Sequence, residues 1–169
     1  LDGMWERTIV INGFSKAFAM TGWRLGYVCA PTELLDTMLK IHQFTMLCAP
    51  VMSQAAALEA LRSGFENNFA DVEKMRREYN RRRRVIVDGF REMGLSCFEP
   101  LGAFYAFPKV SVTGLDDDTF ANRLLKEENV ALVPGSAFGA GGEGFVRCSY
   151  ATAYEEIEEA LVRIERFAR

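Results

Sequence analysis

Two cations, Lys16 and Arg24, stand eight residues apart in the stretch GFSKAFAMTGWRLGY, Gly13 to Tyr27, whose other members are mostly small or apolar. An amine in such a setting can act as a nucleophile or carry protons, provided it is neutral, and burial or a neighbouring cation favours the neutral form. A planar guanidinium suits a phosphate dianion or a carboxylate. Taken singly, neither residue commands a function. A loop lysine is commonly solvated, an arginine commonly pairs at the surface, and Gly22 and Gly26 serve equally as turn or packing glycines.

The flanking segments must position these groups. The β-branched run Thr8 to Asn12 reads as a strand buried on both faces, and Leu25 to Ala30 as a second strand. Lys16 then falls just past the end of a buried strand, where ligand-binding groups collect in open α/β sheets. Pro31 and Thr32 predict the start of a helix reaching Phe44. Pro50 opens another, with Val51, Ala55, Leu58 and Leu61 on one face and Gly64 as its C-terminal cap.

From Phe65 the apolar residues follow steps of three, four or seven, which predicts one amphipathic helix of about 28 residues ending near Gly94. Its length of roughly 40 Å is of the kind that links two domains. The arginines on it, Arg76, Arg77 and Arg81 to Arg84, point around the helix in different directions. Glu73 precedes Arg77 by four residues and Glu78 precedes Arg82 by four, a pattern of solvated ion pairs more than of a nucleic-acid patch.

Beyond Gly94 short strands are predicted at Leu95 to Phe98, Gly102 to Val110, Val130 to Val133 and Gly144 to Tyr150. Two helices interleave with them. One begins among the acids Asp116 to Asp118 and carries Phe120, Leu124 and Leu125. The other follows the capping-box pattern Thr152-x-x-Glu155 and carries Ile157, Leu161, Ile164 and Phe167.

The 169 residues, 49% of them hydrophobic, suffice for one good-sized domain or two small ones. A net charge of -3 offers no general attraction to nucleic acid or an anionic membrane, and no apolar run approaches a spanning helix. Cys29, Cys48, Cys97 and Cys148 are widely spaced within apolar sequence, and His42 is the single histidine. They read as buried free thiols of a cytoplasmic protein, with no metal site. The chain opens at Leu1 with neither an initiator methionine nor a signal peptide, so it is expected to be a piece of a longer protein.

Order and spacing lift these features above their separate readings. Ser15-Lys16 followed by Met20-Thr21-Gly22-Trp23-Arg24-Leu25-Gly26-Tyr27 closely resembles the lysine motif of the class I/II, fold type I aminotransferases, which use pyridoxal 5'-phosphate. Three further strings match in the family's order: GAFYAFP from Gly102, VPGSAFG from Val133 and FVRCSYA from Phe145. Within the family the chain looks most like bacterial and archaeal aspartate or broad-specificity enzymes.

The resemblance implies an α/β fold: residues 1–72 would be the end of the large-domain sheet, and residues 73–169 the long connecting helix with the small domain. It assigns Lys16 to the lysine that forms the Schiff base with the cofactor, and Arg24 to the arginine that binds the cofactor phosphate. Arg147 matches the arginine that holds the substrate α-carboxylate. Ser15 is a further candidate phosphate ligand, although the family varies there. Many relatives place a serine where this chain has Gly13. For Tyr105, Pro134, Gly135 and Phe138 a role in shaping the cleft is at least as apt as a direct one.

The implied partners are an L-amino acid, aspartate among the candidates, and a 2-oxo acid, with a homodimer as the assembly. The family's aspartate on the pyridine nitrogen, its stacking aromatic and its glycine-rich phosphate turn all lie N-terminal to Leu1, so the isolated chain is expected to be inactive. Two alternatives keep the resemblance but change the role. One is an aminotransferase-like effector domain of a transcription regulator, and the other a pyridoxal-phosphate lyase or synthase built on the same site.

Overall fold

A computed structural model describes residues 1–168, and its contacts divide the chain into two compact units, Leu1–Lys74 and Met75–Arg169. In the first unit, β1 (Val10–Gly13) and β2 (Gly26–Cys29) pair antiparallel, in a register from Val10 opposite Cys29 to Gly13 opposite Gly26. This departs from the buried strand expected at Thr8 to Asn12. A ribbon of two strands, with no third alongside among the described residues, leaves its side chains in solvent, and Ile11 is 74% exposed.

Pro31 and Pro50, each with extended ψ, precede α1 (Thr32–Thr45) and α2 (Val51–Glu66). A proline just ahead of the first turn costs no helical hydrogen bond, because the first amides have no partner within the helix. Phe14, Met20 and Ala57 form the small core of this unit, with Phe18, Leu25 and Leu61 packed around them.

Gly64 does not end α2, which continues to Glu66; nor does one helix run on from Phe65. The chain turns through Asn68 and Phe69, both at positive φ, and α3 then spans Ala70–Glu92. The Asn67 side chain accepts the Ala70 N–H at 3.1 Å, capping the new helix. The Phe69 ring folds back over Gly64, where a Cβ would lie 2.4 Å from it. Phe65 and Phe69, four residues apart, stay in edge contact at 5.2 Å across this break. With 23 residues, α3 is about 35 Å long.

The second unit is built on a three-stranded antiparallel sheet in the order β3 (Tyr105–Ala106), β5 (Val146–Ser149), β4 (Val133–Pro134). The strands are shorter than their apolar runs. The segment expected at Leu95 to Phe98 contributes only a bridge between Cys97 and Pro108. Against the sheet pack α3, α4 (Asp117–Glu128) and α5 (Tyr154–Ala168), closing over Phe90, Phe120, Leu124, Val146, Tyr150 and Ile164. Each of these six is at most 1% exposed, so this unit holds the main core.

Asp116 caps α4 by accepting the Thr119 N–H at 2.7 Å, and Asn129 ends it at positive φ. The capping box foreseen for α5 is displaced. The helix starts at Tyr154, and the Thr152 carbonyl accepts a hydrogen bond from Arg82. The arginines of α3 engage local groups: Arg82 pairs with Glu78 at 2.9 Å, Arg83 with Glu99, and Arg81 lies 3.9 Å from the Tyr154 ring centroid. All four cysteines are free. Cys97 and Cys148 are buried, but Cys29 and Cys48 are exposed, unlike the burial expected of all four.

Candidate active site

The loop from Phe14 to Leu25 joins β1 to β2, so Lys16 and Arg24 emerge from the same end of one ribbon. Lys16 lies three residues past β1 and Arg24 two before β2, both exposed. Backbone bonds tighten the turn: Phe14 N–H donates to the Leu25 carbonyl at 3.2 Å and Ala19 N–H to the Lys16 carbonyl at 3.1 Å. Beneath it the Phe14 ring packs on Phe18 at 5.3 Å and on Tyr27 at 5.8 Å. An aromatic floor of this kind holds the turn from below. Lys16 stays exposed within this unit.

Thr21 links the lysine's neighbour to the arginine. Its hydroxyl donates to the Ser15 carbonyl at 3.0 Å, and its own carbonyl accepts from Arg24 Nη1 at 3.0 Å. Arg24 adopts the left-handed backbone, φ 51°, directly after a single 3-10 turn at Thr21–Trp23. Ser53, buried on α2, donates to the Trp23 carbonyl at 2.7 Å and ties that turn to the helix. The guanidinium keeps further N–H donors beyond Nη1, the inventory that a phosphate group uses. Ser15 is half-buried, and its backbone carbonyl takes part in the turn.

Arg147 lies in the second unit, in the middle of β5 and opposite Val133 of β4. Its Cζ sits 4.5 Å from the ring centroids of both Tyr105 and Phe138. Aromatic faces attract a guanidinium and restrict its tilt, while leaving its N–H edge for a planar bidentate partner. Phe138 rides on a 3-10 turn, Gly135–Phe138, that follows β4, and it is 52% exposed. That turn admits no side chain at its base: a Cβ on Gly135 would meet the Gly142 carbonyl oxygen at 2.0 Å.

Asp117, the first residue of α4, is buried at 5% exposure. One carboxylate oxygen accepts the Ser136 N–H at 2.9 Å and the other the Gly144 N–H at 3.1 Å. These bonds, led by the one from Ser136, hold its carboxyl down at about 2. The acids Asp116 to Asp118 read as helix-start residues in the sequence, and Asp117's reach to a loop 19 and 27 residues away left no mark there. Among the described residues no group of three or more His, Cys, Asp or Glu side chains could hold a metal ion. No helix of the described residues is long and apolar enough to cross a membrane.

The residue types fit pyridoxal 5'-phosphate on chemical grounds, since an exposed primary amine and an arginine with spare donors share one ribbon end. The profile of the family Aminotransferase class I and II matches residues 2–164. An aspartate aminotransferase of Pyrococcus abyssi is 52% identical over 169 residues, covering all of this chain and 43% of that protein. An aromatic-amino-acid aminotransferase of Thermococcus litoralis is 51% identical over 98% of this chain and 42% of its own length. The crystal structure of the aromatic aminotransferase from Pyrococcus horikoshii superposes with a TM-score of 0.93 at 53% identity, covering 99% of this chain and 44% of that one. The chain thus spans somewhat over two-fifths of the length of the relatives it matches. By profile, identity and fold together, it belongs to the class I and II aminotransferases and carries part of their fold type I architecture.

Proposed function

We propose that this chain is the C-terminal portion of an aminotransferase that moves an amino group between an L-amino acid and a 2-oxo acid, with pyridoxal 5'-phosphate held at Lys16. The observation that carries the reading is the shared ribbon end, where the register of β1 and β2 brings Lys16 and Arg24 out together. Residues 1–72 are the remnant of the cofactor-binding domain, and residues 73–169 the connecting helix with the small domain.

When bound, the cofactor would supply an electron-withdrawing ring that acidifies the Cα–H bond of the substrate. Lys16 Nζ would hold the cofactor, and its amine would accept the proton from the substrate Cα. Arg24 binds the phosphate through the guanidinium donors that Thr21 leaves open. The Ser15 hydroxyl is an auxiliary ligand to the same phosphate. Arg147 grips the α-carboxylate in a bidentate pair, which fixes the direction of the Cα–H bond.

The names of the relatives make aspartate and aromatic amino acids the donors to try first. The full-length protein acts in the cytoplasm as a homodimer. Exposed apolar side chains in the first unit, such as Phe44 at 94% and Leu47 at 76%, support further polypeptide covering this surface. The chain by itself should not transaminate, because the relatives spend more than half their length outside it.

Borohydride reduction of the full-length protein with pyridoxal phosphate, followed by peptide mass spectrometry, tests the reading. A phosphopyridoxyl group on Lys16 is expected. Labelling at another lysine, or at none, would overturn it.

A further inference from the structure

We infer that Asp117 is a positioning residue for substrate binding: by pinning both ends of the loop that carries Phe138, it sets the orientation of the Arg147 guanidinium. The inference rests on the reading of Arg147 as the carboxylate anchor. Its geometry lies wholly within the second unit.

The two carboxylate oxygens of Asp117 divide their work. One accepts Ser136 N–H in the 3-10 turn, and the other accepts Gly144 N–H just before β5. Just outside those anchors the loop is cinched by Gly135 N–H donating to the Phe145 carbonyl at 2.8 Å. Gly135 and Gly142 press backbone to backbone. Phe138 projects from this closed loop, its ring 6.3 Å from Phe107, which stacks on Phe145 at 5.5 Å. The loop's shape, with the edge contact to Phe107, keeps the half-exposed Phe138 ring at 4.5 Å from Arg147, whereas Tyr105 is held by its own sheet pairing with Ser149.

A carboxylate is the group this position needs. Two backbone N–H donors converge on one buried side chain that must offer two acceptors and no hydrogen. The isosteric amide of asparagine would turn an N–H toward one of them, leaving that amide unsatisfied. The loop would then open at one end and let Phe138 swing, and the guanidinium would lose one of the two rings that restrain it. Arg147 would still be present and charged, so carboxylate binding should weaken without the proton-transfer step being lost.

The test uses the full-length holoenzyme carrying Asp117→Asn, Phe138→Leu and the double substitution. The donor is whichever of L-aspartate and L-phenylalanine the unaltered enzyme turns over faster. Asp117→Asn should raise KM roughly tenfold while kcat stays within about threefold, the pattern of lost binding that is uniform between ground and transition state. Hydrogen exchange across residues 135–145 should quicken in the same variant. The double variant should be no worse than Phe138→Leu, because both act through one ring.

An unchanged KM in folded Asp117→Asn would overturn the inference, as would a fall in kcat with KM preserved or full additivity with Phe138→Leu. Should Asp117→Asn not fold, Phe138→Leu on its exposed turn decides: KM raised with kcat kept supports the inference, and an unchanged KM refutes it. Failure of the aminotransferase reading is distinct, since it would show in the unaltered protein as absence of the borohydride label on Lys16.

Discussion

Gly13 and Gly26 face each other across the β1–β2 ribbon, at the end from which Lys16 and Arg24 emerge. The two glycines are not equivalent. A Cβ on Gly26 would lie 2.9 Å from the Asn12 carbonyl oxygen, inside the closest approach of real side chains, while one on Gly13 would stand 3.4 Å from the Leu25 carbonyl. Gly26→Ala must therefore move backbone, at a cost of about 1–3 kcal/mol by analogy with overpacking. Gly13→Ser should fold without penalty and place a hydroxyl where the family resemblance implies one. Thermal unfolding of both variants in the full-length holoenzyme checks the contrast, and a Gly26→Ala melt equal to that of the unaltered protein would contradict it.

Lys16→Ala should abolish transamination, leaving the fold intact because the side chain is exposed. Arg24→Lys keeps the charge but loses the planar fork. With a charged hydrogen bond worth about 1.5–3 kcal/mol, cofactor affinity should fall roughly 10- to 100-fold. Equilibrium dialysis against pyridoxal phosphate measures it, and undiminished affinity would remove Arg24 from the phosphate site.

Thr21→Val deletes the hydroxyl that reaches the Ser15 carbonyl but keeps the carbonyl that receives Arg24. The expected loss is about 1 kcal/mol of stability, with a smaller effect on cofactor affinity than Arg24→Lys. Urea unfolding followed alongside the dialysis separates the two.

Asp117 also sets an acid limit. Its carboxyl is held down at about 2 in the folded chain, against an ordinary 3.8, because the charged form accepts hydrogen bonds from the Ser136 N–H and side chain and from the Gly144 N–H. A carboxyl depressed in this way contributes stability that is whole above the unfolded value and is lost as pH falls through the folded one. The melting-temperature gap between the unaltered protein and Asp117→Asn should be full near pH 6 and close as pH drops from 3.8 toward 2. A gap that stays constant across that range would argue against the two bonds.

Burial pushes the Cys148 thiol up to about 12 and raises that of Cys97 as well. Since the thiolate is the reactive form, neither should take an alkylating label until the second unit unfolds. Labelling of the full-length protein at about pH 8 with mass-spectrometric readout checks this, and rapid native modification of Cys148 would contradict it.

The helices were legible because their signals are local. Pro31 and Pro50 mark the starts of α1 and α2, Asp116 caps α4, and an apolar face repeats along α5. The break between α2 and α3 was not legible. Phe65 and Phe69 keep helical spacing across it, and only the packing of the Phe69 ring on Gly64 reveals why the chain turns there. The β-branched run before Asn12 predicted a buried strand, yet hydrophobicity states what a segment would bury, not what is at hand to cover it. In this chain the ribbon has no neighbouring strand among the described residues.

The sequence by itself determined the family and supplied the residues proposed as an amine for chemistry, Lys16, and as two guanidinia for anions, Arg24 and Arg147, because such groups must be written as particular residues in a particular order. Tertiary structure alone decided how they are held. Strand register brings Lys16 and Arg24 to one ribbon end, sheet pairing puts Tyr105 beside Arg147, and a carboxylate on a separate helix closes the loop of Phe138. Such relations join residues far apart in the chain, and no local periodicity records a contact made only after the chain has folded.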